Sequence, residues 1–225
     1  MRGKAGHMKN FAIIGAGRFG RAVAVTLYDL GCEVLVLDRD EEIIQSIADS
    51  VTHAVAVRTL DEATLKSLGI RNFDAVVVAI GDELEASVLV TLLLKEMGVK
   101  NVISKANGEL HAKLLGKIGV DRVVLPEYDM GVRVANQLVN TNIIDHIDLS
   151  PEYSIAEISA PARWIGKSLI ELDLRSGHNI NVIAIKNRAE VNVNPSPDYV
   201  LRLGDELAVV GGTAAINALT KEKTR

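Results

Sequence analysis

Residues 9–20 read KNFAIIGAGRFG: an apolar run enters Gly15, Gly17 and Gly20, and a helix-forming stretch follows. Few backbone arrangements satisfy that order. The first glycine permits a tight turn, the second lets an anion approach the main chain, and the third lets helix and strand pack closely. The helix then directs its unpaired N–H groups and the positive end of its dipole at the anion. A glycine pattern alone carries little weight. Here a strand precedes it, a helix follows it, and the next strand-like run, EVLVLD, closes on Asp38 at about the 20-residue spacing of a dinucleotide fingerprint. The stretch predicts a phosphate cradle for a nucleotide.

The same alternation continues downstream. Strands are expected at 33–37, 54–57, 75–79, 102–104 and 122–125, and helices at 19–30, 40–51, 61–68, 83–97 and 109–118. Six strands with five intervening helices predict an α/β, Rossmann-like doubly wound parallel sheet ordered 3-2-1-4-5-6. Composition agrees: 48% of residues are apolar but only 4% aromatic, as strands rich in Val, Ile and Leu and buried on both faces require. A last helix is expected at 127–140, with Met130, Val134 and Leu138 along one side. From Tyr153 the texture changes to YSIAEIS, NVIAIKN, VNVN and ELAVVGG, separated by the turn signals PSPD and LGDE, with helical pieces at 167–173 and 213–219. The expected organisation is a nucleotide-binding N-lobe at 9–140, a crossover linker at 141–152 and a small α+β C-lobe at 153–220.

Several classes of function fall away. The net charge is −4 and Lys and Arg are scattered, which argues against nucleic acid as a primary partner. The runs AVVVAI and SVLVTLLL fall short of the roughly 20 apolar residues that span a bilayer, so a soluble chain is expected. Cys32 is the only cysteine, which excludes an internal disulfide, fits a reducing cytoplasm and suggests a packing role. The leading MRGKAGHM has no signal-peptide core and is set aside from the fold.

Ligands on such sheets sit at the carboxyl ends of the strands. There Asp38 is placed to accept both ribose hydroxyls, or else to cap a helix. Arg39 beside it is able to pair with a 2′-phosphate, yet plain NAD or an adenine mononucleotide suits Asp38 better. Arg18 lies inside the glycine loop, where its guanidinium reaches for a β- or γ-phosphate and points to ATP or ADP; the alternative is a solvated arginine. Lys105 and His111 flank another strand-end loop and add to phosphate or ribose binding. Glu127, with Asp129 two residues on, would oppose phosphates unless Mg²⁺ or Ca²⁺ stood between them; the alternative is an acid at a helix N-terminus. Asp145, His146 and Asp148 have no metal-ligand spacing and read as linker polarity. The chain has no nucleophile elbow, P-loop or HExxH motif, so binding without turnover is expected.

Together GAGRFG, LKSLGIRNFDAVVVAIGDELEASVLVTLLLKEMGV, SKANGELHAKLLGKIGVDRVVLPEYDMG and LGDELAVVGG make the chain from about Met8 resemble the RCK regulatory subunits of Ktr/Trk-type potassium transporters, proteins of the KtrA and TrkA kind. GxGRFG combined with PExDMG is far more specific than either motif. The resemblance implies an RCK N-lobe, a helical crossover and a TrkA-C-like C-lobe. It implies homodimers assembled into an octameric gating ring, cytoplasmic and peripheral at the inner face of the membrane, beneath a KtrB/TrkH-type channel subunit. ATP and ADP, with NAD or NADH as alternatives, would favour different ring shapes.

By position, the resemblance assigns Gly15, Gly17, Phe19 and Gly20 to the phosphate loop and Arg18 to the terminal phosphate. Asp38, with Arg39 and Asp40, meets the ribose, and Ile80, Gly81 and Asp82 the adenosine side. Lys105, Ala106, Asn107 and His111 form the far rim, and Glu127 holds an interfacial Mg²⁺ or Ca²⁺. Arg58 and Thr59, with Leu60, replace the GDAT-like turn of many members in the third loop. In some relatives the C-lobe dimer binds cyclic di-AMP, at positions corresponding to Leu169, Arg175, Asn181, Val182 and Pro197. Two other readings compete. An NAD-dependent oxidoreductase is opposed by Arg18, the small C-lobe and the missing acid/base site. An NAD(H)-sensing transcription regulator is opposed by the acidic balance and the lack of a DNA-binding segment.

Overall fold

The structure, a computed structural model, describes residues 8–81, 83–139, 143–188 and 190–221. It divides into two compact units, Met1–Asp129 and Met130–Arg225. In the first, β1 (Asn10–Ile14), α1 (Arg18–Asp29), β2 (Glu33–Asp38), α2 (Glu41–Ile47), β3 (His53–Ala56) and α3 (Glu62–Ser67) are followed by β4 (Ala75–Val78), α4 (Leu84–Glu96), β5 (Val102–Lys105), α5 (Glu109–Ile118) and β6 (Arg122–Val124). The six strands form one sheet in the order β3-β2-β1-β4-β5-β6, and every pair is parallel. This is the expected order.

Alternate residues of each strand feed opposite core layers, as the two-residue period of a strand requires. Ala12, Ile14, Leu35, Leu37, Val76 and Val78 pack with Leu65, Val90 and Leu94 on one face. Ile13, Val34, Val36 and Val77 pack with Ala24, Ile44 and Ile47 on the other, where Cys32 is also in contact. Two helices differ from expectation. Leu30, the expected last residue of the helix at 19–30, is the C-cap of α1 and exposed, before Gly31 at φ +81°. The helix expected at 40–51 stops at Ile47 and tightens into a 3₁₀ turn at Ala48–Ser50.

The unit boundary falls within α6 (Pro126–Val139). The second unit then contains β7 (Ile143–Asp148), β8 (Tyr153–Ser159), α7 (Leu169–Leu172), α8 (Leu174–His178), β9 (Ile180–Asn187), β10 (Glu190–Val193), β11 (Asp205–Gly212) and α9 (Thr213–Lys221). Its sheet is antiparallel, in the order β10-β9-β11-β8-β7. Burial alternates along β8 and β11, so one face packs a core of Ile158, Trp164, Leu174, Ile185, Leu207 and Ile216.

The stretch expected as a linker carries β7, whose backbone pairs with β8. Its sequence, IIDHID, has too few alternating apolar residues to announce a strand; pairing with a neighbour is what organises it. The side chains of Asp145, His146 and Asp148 lie outside the described residues, as do residues 140–142, where the last helix was expected to end and the linker to begin. The single helical piece expected at 167–173 is two short helices, parted at Asp173 with φ +43°. Among the described residues no helix is long and apolar enough to cross a membrane.

Candidate functional site

The chain leaves β1 through Gly15, whose φ of +99° suits glycine and whose added Cβ would lie 2.9 Å from the Ala79 carbonyl carbon. A Cβ on Gly20 would lie 1.9 Å from Gly15 O. These two glycines are required by packing between β1, the end of β4 and α1. Gly17 is different: it is the N-cap of α1, has no side-chain capping bond, and an added Cβ would meet nothing within 4 Å. The opening therefore lies at Gly17, over the first-turn amides of α1, where an anion is favoured. Phe19 turns into the core, while Arg18 is exposed at the helix start.

Asp38 ties this loop to β2. Its Oδ2 accepts from Ala16 N at 2.6 Å and its Oδ1 from Asp40 N at 3.0 Å. Each oxygen keeps a second lone pair for a hydroxyl donor, so the ribose role and the loop-tying role are compatible. Asp40 caps α2, its Oδ1 accepting from Glu42 N and Ile43 N. Arg39 Nη1 lies 2.5 Å from Glu83 Oε1, linking the loops that follow β2 and β4. Glu83, expected as the first residue of the helix at 83–97, is the N-cap of α4 and had no signal as a partner for Arg39. Arg58 and Thr59 are exposed after β3, with Arg58 3.8 Å from Glu41.

After β4, Ile80 packs on the core and Gly81 passes close to the fifth loop; an added Cβ there would lie 3.5 Å from Lys105 Nζ and 3.9 Å from Asn107 Oδ1. Asp82 lies outside the described residues. The Lys105 side chain is only 13% exposed, and its Nζ donates to Glu127 Oε1 at 2.7 Å. That hydrogen bond, foremost, holds the Glu127 carboxyl below the usual glutamate range, and the charge of Arg18 adds to it. Glu127 sits in the first turn of α6. Lys105, Gly81 and Glu127 thus come together at the carboxyl edge of the sheet, and Arg18, at the start of α1, acts on Glu127 through its charge.

His111, expected at the rim, is buried at 3% exposure beneath the loop. Its Nδ1 accepts from Asn107 N at 3.3 Å, its Nε2 has no partner among the described residues, and burial pushes its pKa down. It positions the Asn107 loop. Ala106 is likewise buried, its N–H donating to Val124 O. Among the described residues no three His, Cys, Asp or Glu side chains are grouped to hold a metal ion. Glu127 supplies one carboxylate, so a hard cation there would need further oxygen ligands. In the second unit Leu169 and Val182 are half-buried against the core, whereas Arg175, Asn181 and Pro197 are exposed. Ile170 N donates to Pro197 O at 2.9 Å, and α8 packs on β9, so these five positions belong to neighbouring elements.

Residues 11–126 match the TrkA-N domain and residues 153–224 the TrkA-C domain. The chain is 44% identical over 213 residues to Ktr system potassium uptake protein C of Bacillus subtilis, and 42% identical over 214 residues to Ktr system potassium uptake protein A of the same organism. Each match covers 95% of this chain and 96% of the relative. In fold the chain is similar to the crystal structure of the GsuK RCK domain, with a TM-score of 0.67 at 17% identity. That match covers 99% of this chain and 50% of the GsuK chain, so this chain spans half its length.

Proposed function

The chain belongs to the family of KtrA/TrkA-type regulatory subunits of bacterial potassium uptake systems, and from that premise we propose that it is a cytoplasmic, non-catalytic gating subunit whose response to ATP against ADP sets the activity of a membrane-embedded KtrB/TrkH-type channel. The observation that supports the nucleotide part is the open N-terminus of α1, with Arg18 in its first turn, beside an Asp38 able to take ribose hydroxyls, while the charge of Arg18 and the ammonium of Lys105 both act on Glu127. An amide-lined opening with two cations favours an adenine nucleotide with more than one phosphate.

The mechanism is differential binding. A ligand biases a ring only by the difference in its affinity for the ring's two shapes. A γ-phosphate held by Arg18 supplies such a difference, since ADP lacks the group. A charge-assisted contact contributes about 1.5 to 3 kcal/mol, and coupled subunits add their shares. Glu127 with phosphate oxygens would hold Mg²⁺ or Ca²⁺, which offsets charge between them. Assembly as homodimers in an octameric ring is supported by exposed apolar side chains on α6 (Tyr128, Met130, Val134 and Leu138) and by exposed leucines on the packed pair α4 and α5. Cyclic di-AMP at Leu169, Arg175, Asn181, Val182 and Pro197 is a second ligand, supported by the adjacency of α7 to Pro197 and of α8 to β9.

The test is calorimetric titration of nucleotide-stripped protein with ATP, ADP, NAD and NADH, with and without Mg²⁺, while light scattering follows the mass. Tight adenine-nucleotide binding by a ring-sized oligomer is expected, and Arg18→Ala should spare adenosine binding but abolish the preference for ATP over ADP. Far tighter binding of NAD or NADH to a small oligomer would replace this reading with a redox role.

A further inference from the structure

The Lys105–Glu127 pair joins the end of β5 to the first turn of α6. Lys105 approaches from the end of β5 through a largely buried stem, and its ammonium lies against Gly81 in the loop after β4. A stem so enclosed has little freedom to carry the charge elsewhere. Glu127 is the opposite: its side chain is 67% exposed, on the first turn of α6, and it is able to leave at little packing cost. It is also an anion acted on by both cations of the candidate phosphate site, Lys105 by a 2.7 Å hydrogen bond and Arg18 through its charge.

Resting on the nucleotide reading above, we infer that Glu127 is a built-in stand-in for phosphate. Without nucleotide its carboxylate fills the anion position on Lys105. A terminal phosphate must displace it from Lys105, which exchanges a carboxylate oxygen for a phosphate oxygen; the released Glu127 carboxylate joins the phosphate oxygens around a divalent cation where one is present, and turns to solvent where none is. The net gain from the phosphate is then the difference between two charge-assisted contacts, smaller than the gain from one contact made afresh. The chain therefore binds phosphate-bearing ligands more weakly than its cations alone would allow, and adenosine is untouched.

The test is calorimetry in EDTA, so that no divalent cation contributes, on the full chain and on Glu127→Gln, Lys105→Met and the double variant, with adenosine, ADP and ATP. Glu127→Gln is expected to bind ATP about tenfold tighter than the parent, the scale of one charge-assisted contact, with adenosine unchanged. In the Lys105→Met background the same substitution should change ATP affinity by less than about twofold, because no cation remains to compete for. A gain that persists undiminished there would show plain charge repulsion and overturn the stand-in. So would unchanged or weaker ATP binding by Glu127→Gln. Adenosine affinity and melting temperature report whether each variant is folded, with Lys105→Gln as the replacement if Lys105→Met is not. Failure of the parent chain to bind any of these adenine ligands would sink the nucleotide reading itself, whereas the stand-in is judged on the ratios among variants.

Discussion

Each unit anchors its loops on an aspartate, and the two aspartates are used differently. In the second unit Asp205 is 1% exposed and takes Asn187 Nδ2 at 2.5 Å, Tyr199 OH at 3.2 Å and Arg202 N at 2.8 Å. It joins the end of β9, the start of β11 and the turn between β10 and β11. Burial foremost, then the charge of Asp205, pushes the Tyr199 hydroxyl pKa up. In the first unit Asp38 takes two backbone amides and stays half-buried at the lip of an opening. The glycines repeat the contrast: Gly211, where a Cβ would lie 2.8 Å from Asn179 O, is walled in, whereas Gly17 faces open space. An anchor that is wholly enclosed can only hold the fold together. One at a lip, with lone pairs to spare, holds the fold and keeps acceptors open to a ligand.

The contrast within the phosphate loop gives the largest expected effect. Gly20→Ala sets a methyl group against backbone that has no room to move, and should cost the first unit about 3 kcal/mol or more and remove nucleotide binding with the fold. Gly17→Ala, at an ordinary φ of −63° and in open space, should stay within about 0.5 kcal/mol of the parent while weakening ligands that carry phosphate. Urea denaturation followed by circular dichroism, beside the nucleotide titration, measures both. Equal stability losses would remove the distinction between packed and open glycines.

Next come the aspartates. Asp205→Ala strands three part-buried donors and empties a buried position, and should destabilise the second unit by about 3 kcal/mol, with nucleotide affinity unchanged. Asp38→Ala should cost nearer 1 kcal/mol, since water reaches the exposed Asp40 amide it frees, but should abolish adenosine binding. If Asp38→Ala proved the more destabilising and bound adenosine normally, Asp38 would be an enclosed anchor too.

A smaller effect separates the first unit by pH. Burial lowers the His111 pKa from its ordinary 6.5, so the folded chain refuses a proton that the unfolded chain accepts. The unfolded state binds more protons as pH falls through the ordinary imidazole range, and stability therefore falls with it; above that range the group contributes no slope. His111→Gln should flatten the stability of the first unit between about pH 5 and 7. An unchanged slope would mean that the imidazole is protonated in place.

What was legible in the sequence follows the range over which each feature acts. Gly15, Gly17, Gly20 and Asp38 could be assigned because a strand, a turn and a helix constrain one another over a few residues. The sheet order followed from alternation and handedness. Lys105 and Glu127 could be named singly, but not as a pair, because they are 22 residues apart and meet only when β5 and β6 lie side by side. His111 could be named for its place beside a strand-end loop, but its burial was not legible, because periodicity does not tell which side of the first turn of α5 faces inward when a polar residue fills it. Strand β7 was missed because its pairing with β8, and not its own pattern, makes it a strand. Glu83 had no local signature, since its importance comes from Arg39 across the cleft.

The Arg39–Glu83 pair should give the smallest effect on stability and is the sharpest test of the lip argument. Both side chains are largely exposed, 71% and 48%, so the pair should contribute no more than about 0.5 kcal/mol to folding. Its counterpart in the second unit is Lys186, which lies 3.5 Å from Glu157 and 2.9 Å from Glu206 on an open sheet face; Lys186→Met should leave both melting and nucleotide binding unchanged. Arg39 differs in where it stands, beside Asp38 and held across to the fourth loop by Glu83. So held, it is drawn away from any 2′-phosphate on a bound ribose, and the nearby carboxylate of Glu83 repels one. Glu83→Gln should therefore leave melting unchanged yet raise the affinity for 2′,5′-ADP about two- to fivefold, the scale of an exposed ion pair, with 5′-ADP unaffected. A large loss of stability with no change in 2′-phosphate binding would make this pair an enclosed-type anchor in spite of its exposure, and place the boundary between holding the fold and meeting a ligand somewhere other than the lip.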